Sequence, residues 1–266
     1  MNKPRVSVLI GIYNCSSTLQ EALDSLYAQS YKDFEIILCD DGSKDNTYEI
    51  ALNNQRNHDN IILLRNEKNL GLNATLNKCL VEAKGEYIAR MDGDDISLPD
   101  RFEKQIEFLD SHLEFAVVST PMIYFDENGE YRRGKGKGII KAHDFINGSP
   151  ICHAPSMIRT NVMKAVGGYS VDEKLLRVED YHLWFKMFAK GHQLFMMNEC
   201  LYMMRDDQNA FHRRTIKARL NEAYVKSIGF RMIGLPFYYQ IYALRPILIG
   251  LLPKSIYTWF HKRKFK

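Results

Sequence analysis

The chain has 266 residues, 45% apolar and 26% charged, with a formal net charge of +4, ordinary values for a soluble globular protein able to bury a full core. The charge is uneven: residues 211–266 hold twelve Lys and Arg against Glu222 alone, a balance of +11, and the other 24 basic and 31 acidic residues leave −7 over residues 1–210. A spanning helix is excluded for the C-terminal section, whose longest uncharged run, Met232 to Leu244, has thirteen residues where a bilayer needs about 20.

Val6 to Ile12 is a near-continuous apolar run of strand length, as expected for a strand buried on both faces. Ser17 with Gln20 makes a capping-box signal for a helix whose Leu19, Ala22, Leu23, Leu26 and Tyr27 share one stripe. Phe34 to Cys39 reads as a second strand, with Asp40-Asp41-Gly42-Ser43 as the turn at its carboxyl end. A helix over Thr47–Leu52, a strand over Ile61–Leu64 and a helix with Leu72, Leu76, Cys79, Leu80 and Ala83 follow, and Gly85 caps the last before the strand Glu86–Ala89. This alternation predicts a mainly parallel sheet with helices on both faces. Neither the G-x-G-x-x-G fingerprint nor a P-loop is present.

Instead, two strands end in carboxylates. Asp40 and Asp41 can accept hydrogen bonds from a base or ribose, or cap the next helix as an Asp-Gly turn. After the fourth strand comes Arg90-Met91-Asp92-Gly93-Asp94-Asp95. Three carboxylates within four positions repel one another unless a cation or strong donors hold them together. Mn²⁺ or Mg²⁺, shared with substrate phosphates, fits such oxygen ligands; a solvated acidic turn is the alternative. The strand end is where open α/β sheets bind ligands.

A helix opening near Ser97-Leu98-Pro99 carries Phe102, Ile106 and Leu109, and a strand follows over Phe115–Thr120. Asn128-Gly129 signals a hairpin. Arg132 to Gly138 is a basic, glycine-rich stretch expected to form a mobile loop, with closure over a diphosphate as the alternative. His153-Ala154-Pro155-Ser156 lies in a loop entering a strand. Val178-Glu179-Asp180-Tyr181 begins a helix with Leu183, Trp184, Met187 and Phe188 inward and Gly191 at its end; the helix dipole alone favours Glu179 and Asp180 there, and a general base is their functional reading. A helix is expected over Thr215–Ile228. Beyond it, aromatic and aliphatic residues mixed with Arg231, Arg245, Lys254, Lys262 and Arg263 read as segments lying in a membrane interface, or as a helical pair packed on the main domain.

The basic tail implies anionic partners, foremost phospholipid head groups, with nucleic acid as the runner-up; no nucleic-acid-binding motif is present, and no nucleic acid partner is expected. Five cysteines (Cys15, Cys39, Cys79, Cys152, Cys200) without a C-x-x-C pair read as thiols in a reducing compartment. The Val6–Ile12 run is too short for a signal peptide. A cytoplasmic protein, peripheral on the cytoplasmic face of the membrane through residues 230–266, is the expectation.

Five blocks in this order resemble glycosyltransferase family 2: Val6–Asn14, Glu35–Thr47, Asn69–Ile96, His153-Ala154-Pro155-Ser156, and Glu179-Asp180 with Trp184. The resemblance covers residues 4–210 and implies an inverting enzyme of the A-type glycosyltransferase fold, with a catalytic domain over 1–210 (nucleotide-sugar half about 1–100, acceptor half about 101–210) and a basic helical section over 211–266. It implies a nucleotide-sugar donor, usually a UDP-sugar, a glycan or lipid-linked acceptor, and Mn²⁺ or Mg²⁺. Asp41 with Asp40 would meet the base, Ile12 and Tyr13 would line the nucleotide pocket, and Asp92 would face the ribose or metal. Asp94 would ligate the metal and Asp180 would be the base, with Glu179, Asp95 and His153 as further candidates. Met204-Arg205-Asp206-Asp207 lacks the family's Tyr-Arg-His pattern, leaving His212 or Asp207 as substitutes. A sugar-1-phosphate nucleotidyltransferase would want a glycine-rich, Arg-containing N-terminal loop that Gly11–Asn14 is not. A catalytically idle nucleotide-sugar or membrane-binding module is the third alternative.

Overall fold

The computed structural model describes residues 3–206 and 215–251. The first part alternates β1 (Val6–Ile12), α1 (Leu19–Tyr27), β2 (Phe34–Asp40), α2 (Thr47–Asn57), β3 (Ile61–Arg65), α3 (Leu72–Glu82) and β4 (Tyr87–Arg90). β1 pairs in parallel with β2 on one side and β4 on the other, and β2 pairs in parallel with β3. The chain winds outward from β1 to β3 and returns to the far side of β1. β1 and β4 therefore flank the point where the winding reverses, where such sheets leave a crevice at their carboxyl ends.

The chain continues through β5 (Ile96–Ser97), α4 (Arg101–Ser111), β6 (Phe115–Ser119), β7 (Ile123–Asp126), β8 (Gly129–Arg133), β9 (Gly138–Ile139), β10 (Met157–Arg159), α5 (Thr160–Ala165), α6 (Glu179–Ala189), β11 (Gln193–Met196) and β12 (Tyr202–Arg205). The large sheet has the order β3-β2-β1-β4-β10-β6-β11-β9, and a small one the order β5-β12-β7-β8. β10 is antiparallel to both β4 and β6. The sheet is thus parallel through its first four strands and mixed beyond them.

Side chains alternate between two cores. Val8 and Ile10 of β1 and Ile36 and Leu38 of β2 pack with α1 and α4, while Leu9, Ile37 and Cys39 pack with α3 and α6 on the opposite face. Burial on both faces explains why β1 and β2 read as unbroken apolar runs.

The Ser17/Gln20 capping box does not form. α1 begins after Thr18 without a side-chain cap; the Thr18 hydroxyl donates to Gly93 O at 3.1 Å, and Gln20 bonds Asp24 and Asn54. The hairpin forms one residue earlier than Asn128-Gly129 suggests. Asp126 pairs with Gly129, so Glu127 and Asn128 make the turn and Gly129 supplies a φ of +106° just after it. The basic stretch is packed: the Arg132 guanidinium lies 3.5 Å from the Tyr124 ring centroid, and a Cβ on Gly136 would meet Met197 O at 2.2 Å.

The C-terminal part forms α7 (Ile216–Met232), a 3₁₀ turn over Phe237–Tyr239, α8 (Gln240–Ala243) and α9 (Arg245–Leu251). Val225 and Phe230 of α7 share a core with Trp184 and Phe185 of α6. Gly229 permits that approach, because a Cβ there would lie 2.3 Å from the Phe185 ring. Phe237, Ile241, Leu244 and Leu248, three and four residues apart, form one exposed apolar stripe with 82, 69, 53 and 62% exposure. Among the described residues no helix is long and apolar enough to cross a membrane. Lys254, Lys262 and Arg263 lie outside the described residues.

Candidate active site

The acidic turn after β4 is clamped from several sides. Asp92 accepts Arg90 Nη2 at 2.5 Å and donates its N–H to the Tyr202 hydroxyl at 3.1 Å. Asp95 accepts the Arg205 N–H at 2.8 Å, and Arg205 Nε donates to Asp94 O at 3.0 Å while its guanidinium pairs with Glu21. Strand β12 thus fixes the turn and leaves the Asp94 side chain exposed. One carboxylate oxygen from each of Asp92, Asp94 and Asp95 falls within 4.8 Å of the others. The surrounding protein, then the charge on Asp92, holds the Asp94 carboxyl above its ordinary range. Burial and the charges of Asp92 and Asp94 push Asp95 to about 8. Raised carboxyls at Asp94 and Asp95, clustered with Asp92 and offering oxygen donors only, are the chemistry a hard divalent cation relieves, so the residues present fit Mn²⁺ or Mg²⁺.

A Cβ on Gly93 of the turn would lie 3.1 Å from Ile12 Cγ2, and Ile12 also lines a cleft of about 350 Å³. Gly11, Ile12 and Tyr13 come to it from the end of β1, Asp41 from the end of β2, and Gly71 and Asn73 from the start of α3; Leu176, Arg177 and Glu179 close it from the second half of the chain. Asp41 accepts Asn66 Nδ2 at 2.9 Å and Leu70 N–H at 2.8 Å on one oxygen and Gly71 N–H at 2.9 Å on the other. Asp40, by contrast, is fully buried and bonds Ser43 N–H and Arg65 at 3.2 and 3.1 Å. Arg177 has a φ of +68°, a conformation that non-glycine residues adopt at a cost of about 1–3 kcal/mol and that clusters at functional sites. A larger cavity, about 1160 Å³, opens at the amino-terminal edge of the sheet near Lys32, Glu35, Lys84 and Lys164. It lies at the opposite ends of the strands from the acidic turn.

Glu179 and Asp180 are the first two residues of α6. Burial, then the charge of Asp180, lifts Glu179 to about 7. Burial also raises Asp180, against hydrogen bonds from the backbone at the helix start, the Arg90 charge and a hydrogen bond from Ser149. His153 Nε2 lies 2.7 Å from the Tyr169 hydroxyl, and its ring meets Trp184 edge to face at 6.0 Å. Burial and the Arg90 charge hold this histidine well below its ordinary pKa, so it is neutral.

The cleft therefore gathers Ile12, Tyr13, Asp41 and Glu179, and the adjoining turn gathers Asp92, Asp94 and Asp95. Asp40 faces β3 instead, and His212 and Asp207 lie outside the described residues. Sequence reasoning passed over Arg90, Tyr202 and Arg205. Arg90 had one available signal, a cation at the end of a strand otherwise built for burial, directly before the acidic run.

The family profile described as Glycosyl transferase family 2 matches residues 7–167. The putative glycosyltransferase EpsE of Bacillus subtilis is 38% identical over 262 residues, covering 98% of this chain and 94% of that protein. An Escherichia coli protein named UDP-Gal:alpha-D-GlcNAc-diphosphoundecaprenol beta-1,3-galactosyltransferase is 30% identical over 272 residues, covering 98% and 96%. Among solved structures, the mannosyltransferase PcManGT from Pyrobaculum calidifontis in complex with GDP-Man and Mn²⁺ superposes with a TM-score of 0.66 at 17% identity, over 99% of this chain and 80% of that one. The fold is the A-type glycosyltransferase fold that the sequence blocks implied, and the chain belongs to glycosyltransferase family 2.

Proposed function

We propose that the protein transfers a sugar, with inversion, from a nucleotide-sugar donor, foremost a UDP-sugar, to a hydroxyl of a glycan or lipid-linked acceptor in cell-surface polysaccharide synthesis. The observation that carries this reading is the shared cleft, in which residues from the ends of β1 and β2 meet Glu179 and whose Ile12 packs against Gly93 of the acidic turn. The E. coli relative, named for a UDP-Gal donor and a diphosphoundecaprenol-linked acceptor, supports the choice of donor and acceptor class.

In this reading Ile12 and Tyr13 flank the base, Asp41 orients base and ribose, and Asp40 steadies the turn behind it. Asp94 and Asp92 hold a divalent cation, with Asp95 behind them. When bound, that cation supplies positive charge to offset the charge developing on the departing diphosphate. Asp180 takes the proton from the acceptor hydroxyl as it attacks the anomeric carbon from the face opposite the diphosphate, because the neutral hydroxyl is a poor nucleophile. Direct displacement turns an α-linked donor into a β-linked product. Residues 1–210 act as the catalytic domain, and residues 211–266 hold the enzyme on the cytoplasmic face of the membrane. The exposed Phe237–Leu248 stripe would enter the interface while the basic residues of that section meet anionic head groups.

The test is a panel of UDP- and GDP-sugars assayed for released nucleoside diphosphate, with Mn²⁺ and with chelator. Release from a UDP-sugar that chelator abolishes is expected. No release from any donor would favour a non-catalytic module instead.

A further inference from the structure

Two residues of β12, Tyr202 and Arg205, reach the acidic turn from 110 residues further along the chain. Tyr202 is fully buried and pairs with Ser97 of β5, the strand that begins where the turn ends. The Arg101 guanidinium lies 5.1 Å from its ring centroid and donates to Arg90 O, just before the turn, at 2.8 Å. Burial and this contact fix the phenol, whose hydroxyl accepts the Asp92 N–H at 3.1 Å. Arg205 holds the far end of the turn. Its N–H donates to Asp95 Oδ1 at 2.8 Å and its Nε to Asp94 O at 3.0 Å. Its guanidinium pairs with Glu21 of α1 and lies 4.6 Å from the Phe125 ring centroid. Each of the three acidic residues therefore has its own hydrogen bond to β12, and those of Asp92 and Asp94 leave their carboxylates free.

The three carboxylates each bring an oxygen within 4.8 Å of the others, and like charges that close repel. An unbraced turn would let them splay apart. Resting on the divalent-cation site proposed above, we infer that Tyr202 and Arg205 are positioning residues for that cation: β12 keeps the carboxylates gathered in the metal-free protein, so that the cost of ordering them falls on folding rather than on binding. Neither residue needs to touch the ion. Tyr202 is the cleaner case, because it is uncharged and its hydroxyl bonds the backbone of the turn. Arg205 is a cation beside a cation site, which by charge alone would weaken binding. Its ion pair with Glu21 offsets that charge, leaving the hydrogen bond to Asp94 O as the larger effect.

The experiment titrates Mn²⁺ into the full chain, with and without UDP, for the parent, Tyr202→Phe and Arg205→Met, with free Mn²⁺ read by electron paramagnetic resonance. UDP affinity in chelator and the urea midpoint of each metal-free protein are measured alongside. Tyr202→Phe should bind Mn²⁺ about three- to tenfold more weakly, the size expected for one lost hydrogen bond, while its UDP affinity in chelator stays within about twofold of the parent. Arg205→Met should weaken Mn²⁺ binding as well, whereas loss of a nearby positive charge by itself would tighten it. The Arg205 side chain is partly exposed, so this variant decides the matter if Tyr202→Phe does not fold. A lower urea midpoint with unchanged Mn²⁺ affinity in Tyr202→Phe would make the hydroxyl merely structural and overturn the inference, as would unchanged or tighter Mn²⁺ binding by Arg205→Met. A parent that binds no Mn²⁺ would sink the proposed cation site and the inference with it; a parent that binds Mn²⁺ no better than both variants sinks the inference alone.

Discussion

Asp41 accepts the Gly71 N–H at 2.9 Å on one oxygen and the Leu70 N–H at 2.8 Å on the other. The carboxylate thus ties the end of β2 to the start of α3 and shapes the cleft wall before any ligand arrives. Asp41→Ala leaves those two amides without their side-chain acceptor and Asn66 Nδ2 with Thr75 Oγ1 alone, with an expected loss of about 1–3 kcal/mol in stability and weaker UDP binding. Urea midpoints and calorimetric titration measure the two effects. Parent stability in Asp41→Ala would remove the structural half of this assignment.

Asp180 is the second residue of α6, and Glu179, which begins the helix, lines the cleft. Asp180→Asn preserves shape and hydrogen-bonding size but cannot accept the acceptor proton. Donor affinity should be unchanged while transfer falls by about 10²-fold or more, as followed by nucleotide release in the presence of acceptor. Full transfer in this variant would end Asp180's role as base.

Glu179 carries a pH signature of its own. Its carboxyl is raised from an ordinary 4.5 to about 7, first by burial and then by Asp180. The native state therefore binds the proton more tightly than the unfolded chain does. Stability from this group is fully present below about pH 4.5 and is lost as pH rises towards 7. Glu179→Gln should match the parent near pH 4.5 and melt at a higher temperature than the parent above pH 7. Melting curves that stay parallel across this range would show that Glu179 is not held protonated by the fold.

Phe237, Ile241, Leu244 and Leu248 are exposed apolar residues spaced three and four apart along the last described helical segments. Replacing Phe237, Ile241 and Leu248 together by Ser should move the protein out of the pelleted fraction with phosphatidylserine vesicles. Nucleotide release in solution should stay within about two-fold, since these are exposed residues away from the cleft. Undiminished sedimentation with vesicles would rule out the stripe as the membrane contact.

The parallel half of the fold was legible because β1 and β2 are buried on both faces and so read as uninterrupted apolar runs. β10 carried no comparable pattern: three residues, Met157–Arg159, suffice to insert an antiparallel strand between β4 and β6. The small sheet was equally hidden, because Ile96–Ser97 pairs with a strand more than a hundred residues away at Met203–Tyr202. In the site, Asp92, Asp94 and Asp95 stood out as neighbours in the sequence. The parts supplied by tertiary contact did not: nothing near Tyr202 or Arg205 announces that they brace the acidic turn. The Ser17/Gln20 pattern misled because the neighbouring hydroxyl, Thr18, bonds Gly93 across the site.

In the proposed mechanism a divalent cation held by Asp94 would join the nucleotide diphosphate to the protein. Calorimetric titration of UDP into the parent and into Asp94→Asn, each with Mn²⁺ and with chelator, tests it most directly. The parent should bind UDP at least about tenfold more tightly with Mn²⁺ than with chelator, a difference of about 1.4 kcal/mol, and Asp94→Asn should lose this difference. Equal affinity under all four conditions would contradict it.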